Sequence, residues 1–283
     1  MTAPAVPGDP ESSRRVSSRF DLEGAVAVVT GAGGKLGPVW VGALLEAGAR
    51  VAALDLPDAA SAQLDGLERD AGGRLCRVDC DITSRRSIET AAETVAARLG
   101  EPRVLVNNAG VDQPPDSPGG RHRLDDLPIQ DFRRMVEVNL LGTFQVIQVV
   151  GARMAAAGGG SIINIGSLYA SVSPDPHFYD HLAGAVPFVK SPAYGASKAG
   201  VVSLSKFFAT HWAGQGIRVN TLSPGGVLAG QDEHFKAKYG ARVPLRRMPA
   251  ADDLKGPIVF LASAASSYVT GHELRVDGGF TAW

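Results

Sequence analysis

The sequence predicts an α/β fold in which helices cover both faces of one parallel sheet within a single domain. Short β-branched runs alternate with helical stretches along the chain, which is the pattern of successive βαβ units. The first run, residues 25–30, ends in glycines that lead into a helix and then into a second run. The 283 residues, 45% of them apolar, are sufficient for one such domain with a large core.

The order of the elements follows from apolar periodicity and from turn residues. Seven runs predict strands, at residues 25–30, 50–55, 74–81, 104–107, 161–167, 217–222 and 273–279. Helices are predicted at residues 39–47, from Thr83 or Ser84 to Leu99, and at residues 129–156, 194–211 and 254–262. Residues 112–127 are rich in Pro, Gly and Asp and predict a long surface loop.

Composition narrows the choice of partners and compartment. A net charge of −1 gives no basis for binding nucleic acid or a membrane surface. Cys76 and Cys80 are too few for a disulfide scaffold and are interpreted as small core side chains. Residues 1–18 are rich in Pro and Ser and predict a disordered arm before a folded domain of residues 19–283. Without a signal-like segment or an apolar run of roughly 18 residues, we expect a cytoplasmic protein.

The turn after the first strand favours binding of a dinucleotide. Gly31, Gly34 and Gly37 lie between a strand and a helix, where glycines let the backbone approach a pyrophosphate. Asp55 ends the second strand, where a carboxylate can bind ribose hydroxyls and would repel the extra phosphate of NADP. Lys35 is a cation within the turn that could soften this preference. We therefore predict NAD, with NADP less favoured; the alternative is a turn without a ligand.

Tyr194 and Lys198 are the residues on which the predicted chemistry depends. In a helix they stand at i and i+4, so an ammonium would lie beside a phenol. A neighbouring cation favours phenolate, and we expect the pKa of Tyr194 to be lowered toward a range useful for proton transfer. The alternative for this common spacing is a solvated pair on an ordinary helix.

Several motifs, in order, resemble those of the short-chain dehydrogenase/reductase family, in its short single-domain branch, over about residues 22–279. They are Thr30-Gly31 with Gly37, Asp81-Ile82, Asn107-Asn108-Ala109-Gly110, Asn139 in Val-Asn-Leu-Leu-Gly, Ser167 at a strand end, Tyr194-x-x-x-Lys198 and Ser223-Pro224-Gly225. The resemblance implies a Rossmann-type sheet of seven parallel strands. It also implies hydride transfer between a nicotinamide and a substrate carbon, with no metal.

The same resemblance implies roles for a tetrad of Asn139, Ser167, Tyr194 and Lys198. Tyr194 would exchange a proton with the substrate oxygen, which Ser167 would hold. Lys198 would lower the pKa of Tyr194 and hold the nicotinamide ribose, and Asn139 would support a water that relays protons. The implied cofactor-binding residues are Gly31, Gly34, Lys35, Leu36, Gly37, Asp55, Asp81, Ile82, Asn108, Ala109, Gly110, Tyr194, Lys198, Pro224, Gly225 and Val227. Asp81 is equally well interpreted as a helix cap, and Asn139 as a solvent-facing residue.

Two departures from the family pattern stand out. Lys35 occupies a position that is usually glycine, and the spacing of Gly31, Gly34 and Gly37 is closer to the extended branch that modifies nucleotide sugars. Ser167 and Tyr194 are 27 positions apart, about twice the usual separation. The resulting insertion, residues 168–193, begins beside the proposed site and is expected to shape the substrate pocket; the alternative is a surface excursion.

The candidate substrate residues are His177 and Tyr179 in the insertion and Gln231 in a polar lid of residues 227–248. The polar content of the insertion favours a hydroxylated or anionic substrate, such as a sugar or polyol. The predicted function is NAD(H)-dependent interconversion of a secondary alcohol and a ketone. The alternatives are a nucleotide-sugar epimerase or dehydratase and a non-catalytic NAD-sensing protein. Apolar Phe280 and Trp283 near the C-terminus lead us to expect a homotetramer or homodimer.

Overall fold

Seven parallel strands form one sheet at the centre of the protein. The computed structural model describes residues 15–113, 122–182, 186 and 188–283. The strands are β1 (Val26–Thr30), β2 (Arg50–Asp55), β3 (Leu75–Asp79), β4 (Val104–Asn107), β5 (Gly160–Ile165), β6 (Ile217–Pro224) and β7 (Glu273–Val276). Their order across the sheet is β3-β2-β1-β4-β5-β6-β7, and every neighbouring pair is parallel. This confirms the predicted doubly wound, Rossmann-type fold.

Helices cover both faces of this sheet. They are α1 (Gly37–Glu46), α2 (Ala62–Asp70), α3 (Arg85–Leu99), α4 (Ile129–Ala156), α5 (Pro192–Trp212), α6 (Glu233–Arg242) and α7 (Asp252–Ala262). The sequence analysis did not predict α2 or α6. Helix α2 buries only Leu64, so it has no apolar stripe to mark its period. Helix α6 buries Phe235 and Tyr239 and lies inside the segment expected to be a polar lid.

Each face of the sheet has its own apolar core. Trp40, Leu44 and Ile258 from α1 and α7 belong to one core. The other core joins residues of the strands to residues of α3, α4 and α5, among them Ile88 and Ile147. A third group, here called the aromatic cluster, joins the insertion to the lid. It consists of Leu168, Phe178, Tyr179, Phe188, Phe235, Tyr239, Val243, Met248 and Phe280.

Helix α4 is the longest helix of the part of the chain that the structure describes. Two segments, Glu137–Gly142 and Ile147–Gly151, have the wider π-helical turn. Within the described residues it is also the one helix whose length and composition would allow it to cross a membrane, and half of its apolar window is buried in the protein. Because it packs against α3 and α5 in the core, we interpret it as the core helix of a soluble fold.

The expectations about the chain's periphery have different outcomes. Of the predicted disordered arm, residues 1–14 lie outside the described residues, and Val16–Phe20 forms a 3-10 helix whose Phe20 ring lies 6.5 Å from that of Phe260. In the predicted loop of residues 112–127, residues 114–121 also lie outside the described residues. Phe280 is 4% exposed because it belongs to the aromatic cluster, so of the two C-terminal apolar side chains only Trp283 is exposed to water.

Candidate active site

A cavity of about 1020 Å³ opens at the carboxyl edge of the sheet. Its walls include the turn after β1 and the residues that follow β4, where the strand order reverses direction. Ligands of open α/β sheets bind at this kind of switch point. One end of the cavity is lined by Asp55, and Ser167, Tyr194 and Lys198 also contribute to its walls. The volume lies at the upper end of the range for small-molecule sites, about 300–1,000 Å³.

The turn after β1 depends on two glycines that no larger residue could replace without a shift of the backbone. Gly31 has a φ of +62°, and a Cβ there would lie 2.6 Å from the Ala109 Cα. A Cβ on Gly37 would lie 2.3 Å from the carbonyl oxygen of Ala32. Gly37 does not line the cavity, so its role is to let the turn close on itself, while Gly31 lets it meet the residues after β4.

The start of α1 presents backbone N–H groups without a side-chain cap from the described residues. Helices α2 and α3, by contrast, are capped by Ser61 and Ser84. Uncapped N–H groups and the positive end of the helix dipole favour an anion at this position. Asn108 supports the turn, because its side-chain amide donates to the Gly31 carbonyl at 2.8 Å and accepts from the Trp40 indole at 2.7 Å.

Asp55 is fixed at the end of β2 by the backbone around it. One carboxylate oxygen accepts a 2.7 Å hydrogen bond from the Gly33 N–H, and the other a 2.8 Å bond from the Leu56 N–H. Lys35 lines the same cavity, and burial lowers its pKa. Among charged groups, Asp112 raises the pKa of Lys35 and Lys190 lowers it. The charges that shift the pKa of Lys35 therefore belong to residues that line the same cavity as Tyr194.

Asp81 and Ile82 follow β3 and line the cavity, as the resemblance implies. Asp81 also has a local structural role, because its Oδ1 accepts hydrogen bonds from the N–H and hydroxyl of Thr83 at 2.9 and 2.7 Å. The N-cap of α3 is Ser84, which is one of the two caps expected. The helix-cap interpretation of Asp81 is therefore wrong, because Asp81 binds Thr83 in the turn before the helix; its role beside the cofactor stays a prediction.

Lys198 lines the cavity together with Tyr194. It is 5% exposed, and its Nζ donates a 2.8 Å hydrogen bond to the Ile165 carbonyl at the end of β5. Burial lowers the pKa of Lys198 to about 8, while the Asp112 carboxylate acts in the opposite direction. At neutral pH the ammonium is therefore mostly charged. Its Nζ lies 5.9 Å from the centre of the Tyr194 ring.

The expected lowering of the Tyr194 pKa is wrong for the protein by itself. Burial raises that pKa, the Asp112 carboxylate raises it further, and a hydrogen bond with the Ser167 side chain opposes the shift. The i and i+4 spacing predicted a nearby cation, but it could not show how strongly the protein desolvates the phenol. Tyr194 is consequently protonated at neutral pH.

Asn139 is fully buried in a π-helical segment of α4, which excludes the solvent-facing alternative. Its side-chain oxygen accepts a 2.7 Å hydrogen bond from the Val111 N–H, and its amide donates to the Val111 carbonyl at 2.9 Å. Asn139 thus fixes the chain that follows β4. The water relay that the resemblance implies stays a prediction.

The three candidate substrate residues have different positions. Tyr179 lines the cavity. His177 does not, because its side chain is 84% exposed and its Nδ1 lies 2.8 Å from Asp175; its assignment to the substrate site is wrong. Gln231 lines the cavity, but its side chain accepts from the Ala229 N–H and donates to the Val227 carbonyl, so it holds the lid.

The cavity brings together most of the predicted site. Its walls include Gly31, Gly34, Lys35, Leu36, Asp55, Asp81, Ile82, Asn108, Ala109, Gly110, Ser167, Tyr179, Tyr194, Lys198, Pro224, Gly225, Val227 and Gln231. Asp112, Tyr169 and Lys190 line it as well and were not singled out from the sequence as site residues. The position of Asp112 just after Asn-Asn-Ala-Gly was a usable signal for one of them. Within the described part of the chain, no group of three His, Cys, Asp or Glu side chains could hold a metal ion.

Comparison with known proteins agrees with this site. A family model described as enoyl-(acyl carrier protein) reductase matches residues 36–281. D-threitol dehydrogenase of Mycolicibacterium smegmatis is 38% identical over 273 residues, covering 93% of this chain and 95% of that protein. Galactitol 2-dehydrogenase (L-tagatose-forming) of Cereibacter sphaeroides is 34% identical, with coverages of 93% and 98%.

A solved structure has the same fold. The gluconate 5-dehydrogenase of Burkholderia cenocepacia, in complex with NADP and tartrate, superposes with a TM-score of 0.82 at 32% identity, covering 95% of this chain and all of that one. The chain belongs to the short-chain dehydrogenase/reductase family. It is an oxidoreductase that acts on CH–OH groups with a nicotinamide cofactor.

Proposed function

We propose that this short-chain dehydrogenase/reductase is an NAD(H)-dependent polyol or sugar-alcohol dehydrogenase that interconverts a secondary hydroxyl and a ketone. The observation that carries the proposal is one cavity lined both by the glycine turn with Asp55 and by Ser167, Tyr194 and Lys198. The names of the relatives, which act on threitol and galactitol, support a polyol as the substrate.

The residues of the cavity fit a nicotinamide dinucleotide. The turn leaves no room for a Cβ at Gly31 or Gly37, and the uncapped start of α1 suits a pyrophosphate. We infer that these residues hold the diphosphate, that Asp55 holds the adenosine ribose, and that Asn108 to Gly110 with Pro224, Gly225 and Val227 flank the nicotinamide half. When bound, the nicotinamide supplies the hydride acceptor or donor.

The preference for NAD rests on Asp55. Its carboxylate is anchored by two backbone N–H groups at the position where an extra ribose phosphate would have to lie, and two like charges at close range repel. Lys35 lines the same cavity, but Asp55 is given more weight because a carboxylate that faces a phosphate carries a direct repulsive cost. The gluconate 5-dehydrogenase of B. cenocepacia was solved with NADP, so the comparison leaves the choice of cofactor to experiment.

Each residue of the proposed catalytic group has its own role in the proton transfer. A protonated Tyr194 is ready to donate to a carbonyl oxygen during reduction, and Ser167 beside it can donate a second hydrogen bond to that oxygen. Oxidation needs the phenolate, which the ammonium of Lys198 favours electrostatically. We further propose that Asn139 supports the path by which a proton reaches Lys198.

We also propose that the protein is cytoplasmic and forms a homotetramer or homodimer. The oligomer was expected from apolar Phe280 and Trp283, and of these two only Trp283 is exposed and still supports it.

The test is absorbance of reduced nicotinamide during turnover of threitol, arabinitol, galactitol and simple secondary alcohols, with NAD and NADP in parallel. We expect turnover of at least one polyol with NAD. Tyr194→Phe should lower kcat by about 10²–10⁴-fold, because it removes the acid/base group. Tyr268→Phe is the matched control, since Tyr268 is fully exposed and outside the cavity.

Three results would contradict parts of this proposal. Turnover with NADP alone would show that the cofactor assignment from Asp55 is wrong. Full activity of Tyr194→Phe would remove the proposed mechanism, and a complete lack of turnover together with tight NADH binding would favour the non-catalytic sensing protein.

A further inference from the structure

A second cation lies beside Tyr194, and it comes from the insertion. Lys190 Nζ is 5.4 Å from the centre of the Tyr194 ring, slightly closer than Lys198 Nζ at 5.9 Å. The Lys190 side chain is 9% exposed, so the insertion has desolvated it almost completely. Burying an ammonium costs free energy unless an opposite charge compensates it. The partner of Lys190 therefore determines what this part of the cavity can bind.

The partner of Lys190 is Asp112, which lies 78 positions earlier in the chain. Lys190 Nζ is 2.6 Å from Asp112 Oδ2 and 3.3 Å from the Gln113 carbonyl oxygen. Asp112 Oδ1 accepts from the Gln113 N–H at 2.8 Å. Because Asn139 fixes Val111, the residue before Asp112, the carboxylate is attached to a rigid part of the fold.

The two members of the pair differ in their access to the cavity. Both line it, yet Asp112 is 43% exposed while Lys190 is 9% exposed. A carboxylate oxygen has more than one acceptor position, and an ammonium has three donors, of which two bind Asp112 and Gln113 among the described residues. The pair thus presents an acceptor and a donor next to each other, with no net charge, at the wall that holds Tyr194.

We propose that Asp112 and Lys190 together bind hydroxyl groups adjacent to the reacting carbon and thereby select a neutral polyol over an anionic hydroxy acid. A vicinal hydroxyl pair matches an adjacent acceptor and donor, because each hydroxyl both donates and accepts. A substrate carboxylate would instead meet the Asp112 carboxylate, since Lys190 is already paired. This inference rests on the proposed function, and it names the residues that would recognise the hydroxyl groups of the polyol substrate.

The other charged side chains of the cavity are of both signs. Its further cations are Lys198, which donates to the Ile165 carbonyl, Arg134, and Lys35, whose ammonium interacts with Asp112 and Lys190. On the lid side the cavity is lined by Asp232, whose Oδ1 accepts from the Phe235 N–H and lies 2.9 Å from His181 Nε2. With Asp55 and Asp81 the described part of the lining holds four carboxylates and four cations, so it carries no net charge that would favour an anionic substrate.

The test compares three kinds of substrate in each variant. They are the polyol that the wild-type protein oxidises fastest among threitol, arabinitol and galactitol, the aldonate of the same chain length, and 2-butanol, which has no neighbouring hydroxyl. Lys190→Met should lower kcat/KM for the polyol about tenfold to hundredfold more than it lowers kcat/KM for 2-butanol. Both substrates share any effect of an unpaired Asp112 on Tyr194, but only the polyol loses hydrogen bonds to charged groups. Lys190→Arg keeps the charge and should retain a larger share of polyol activity.

Asp112→Asn should lower kcat/KM for the polyol by a similar factor and raise that for the aldonate, which reverses the preference. Lys255→Met is the matched control, because it breaks an ion pair with Glu46 outside the cavity and should leave all three substrates unchanged. Equal losses on the polyol and on 2-butanol would overturn the inference, since they would mean that the pair acts through Tyr194 or through folding. Wild-type turnover of 2-butanol without turnover of any polyol would instead overturn the proposed function, and with it this inference.

Discussion

The two ends of the cavity are built in different ways. The cofactor end consists of backbone: the glycine turn folds against Ala109, and Asp55 binds backbone N–H groups. The substrate end consists of side chains that belong to neither face of the sheet. The insertion and the lid meet there in the aromatic cluster, and Lys190 of the insertion pairs with Asp112, which follows β4.

This difference predicts different responses to substitution. The cofactor end consists of backbone that is tightly packed against the main cores. One added methyl group should therefore displace that backbone and weaken cofactor binding. A site supported by a separate cluster can loosen while the sheet stays folded. Cofactor binding and substrate binding should therefore be separable by mutation, and three experiments examine that separation.

The largest effect is expected for Gly37→Ala. Its Cβ would lie 2.3 Å from the Ala32 carbonyl oxygen, so the turn must move. We expect NADH affinity, measured by fluorescence titration, to fall by about 100-fold, or about 2.7 kcal/mol. Gly230→Ala is the matched control in the lid, where a Cβ meets no atom of the described residues within 4 Å. A similar loss in both variants would abolish the distinction between the two ends.

An intermediate effect is expected for Phe178→Ala. Phe178 is 3% exposed and contacts the rings of Phe235, Tyr239 and Phe280 at 5.8, 5.7 and 6.2 Å. Removing such a ring costs about 3 kcal/mol, and here the loss falls on the aromatic cluster. We expect KM for the substrate to rise about tenfold while NADH affinity changes by at most about twofold.

Tyr268→Ala removes an aromatic ring of similar size from a fully exposed position and should change neither quantity. If Phe178→Ala weakens NADH binding as much as it raises KM, the aromatic cluster supports the whole cavity. Cofactor binding and substrate binding would then not be separable by mutation.

The smallest effect is expected for Lys238→Met. Lys238 in α6 forms an ion pair with Asp180 of the insertion and donates to the His177 carbonyl at 2.9 Å. Both charged side chains are substantially exposed, at 34% and 56%, and such pairs contribute at most about 1 kcal/mol. KM should therefore rise by no more than about fivefold, and the difference from wild type should shrink at high salt. An effect as large as that of Phe178→Ala would show that ion pairs, rather than rings, hold the insertion to the lid.

The same contrast explains what could be predicted from the sequence. The strands, Gly31, Gly37 and Asp55 were predictable because each follows from a local rule about pleats, glycine turns or strand ends. Tyr194, Lys198 and Ser167 were predictable from their resemblance to a family, and the cavity contains all three.

The remaining features depend on contacts that sequence spacing does not reveal. Lys190 meets Asp112 across 78 positions, and no local rule connects them. His177 was assigned to the substrate because it lies in a polar stretch, but Asp175 two residues earlier binds it at the surface. The direction of the Tyr194 pKa shift depends on burial, which a spacing of four residues cannot report.

The aromatic cluster also has a consequence for protein engineering. Phe178, Tyr179 and Phe188 of the insertion pack with Phe235 and Tyr239 of the lid. A chimera that exchanges only one of the two segments with a relative would join aromatic surfaces that were never fitted to each other. To transplant a specificity into this scaffold, residues 168–193 and residues 227–248 should be exchanged together, as one graft.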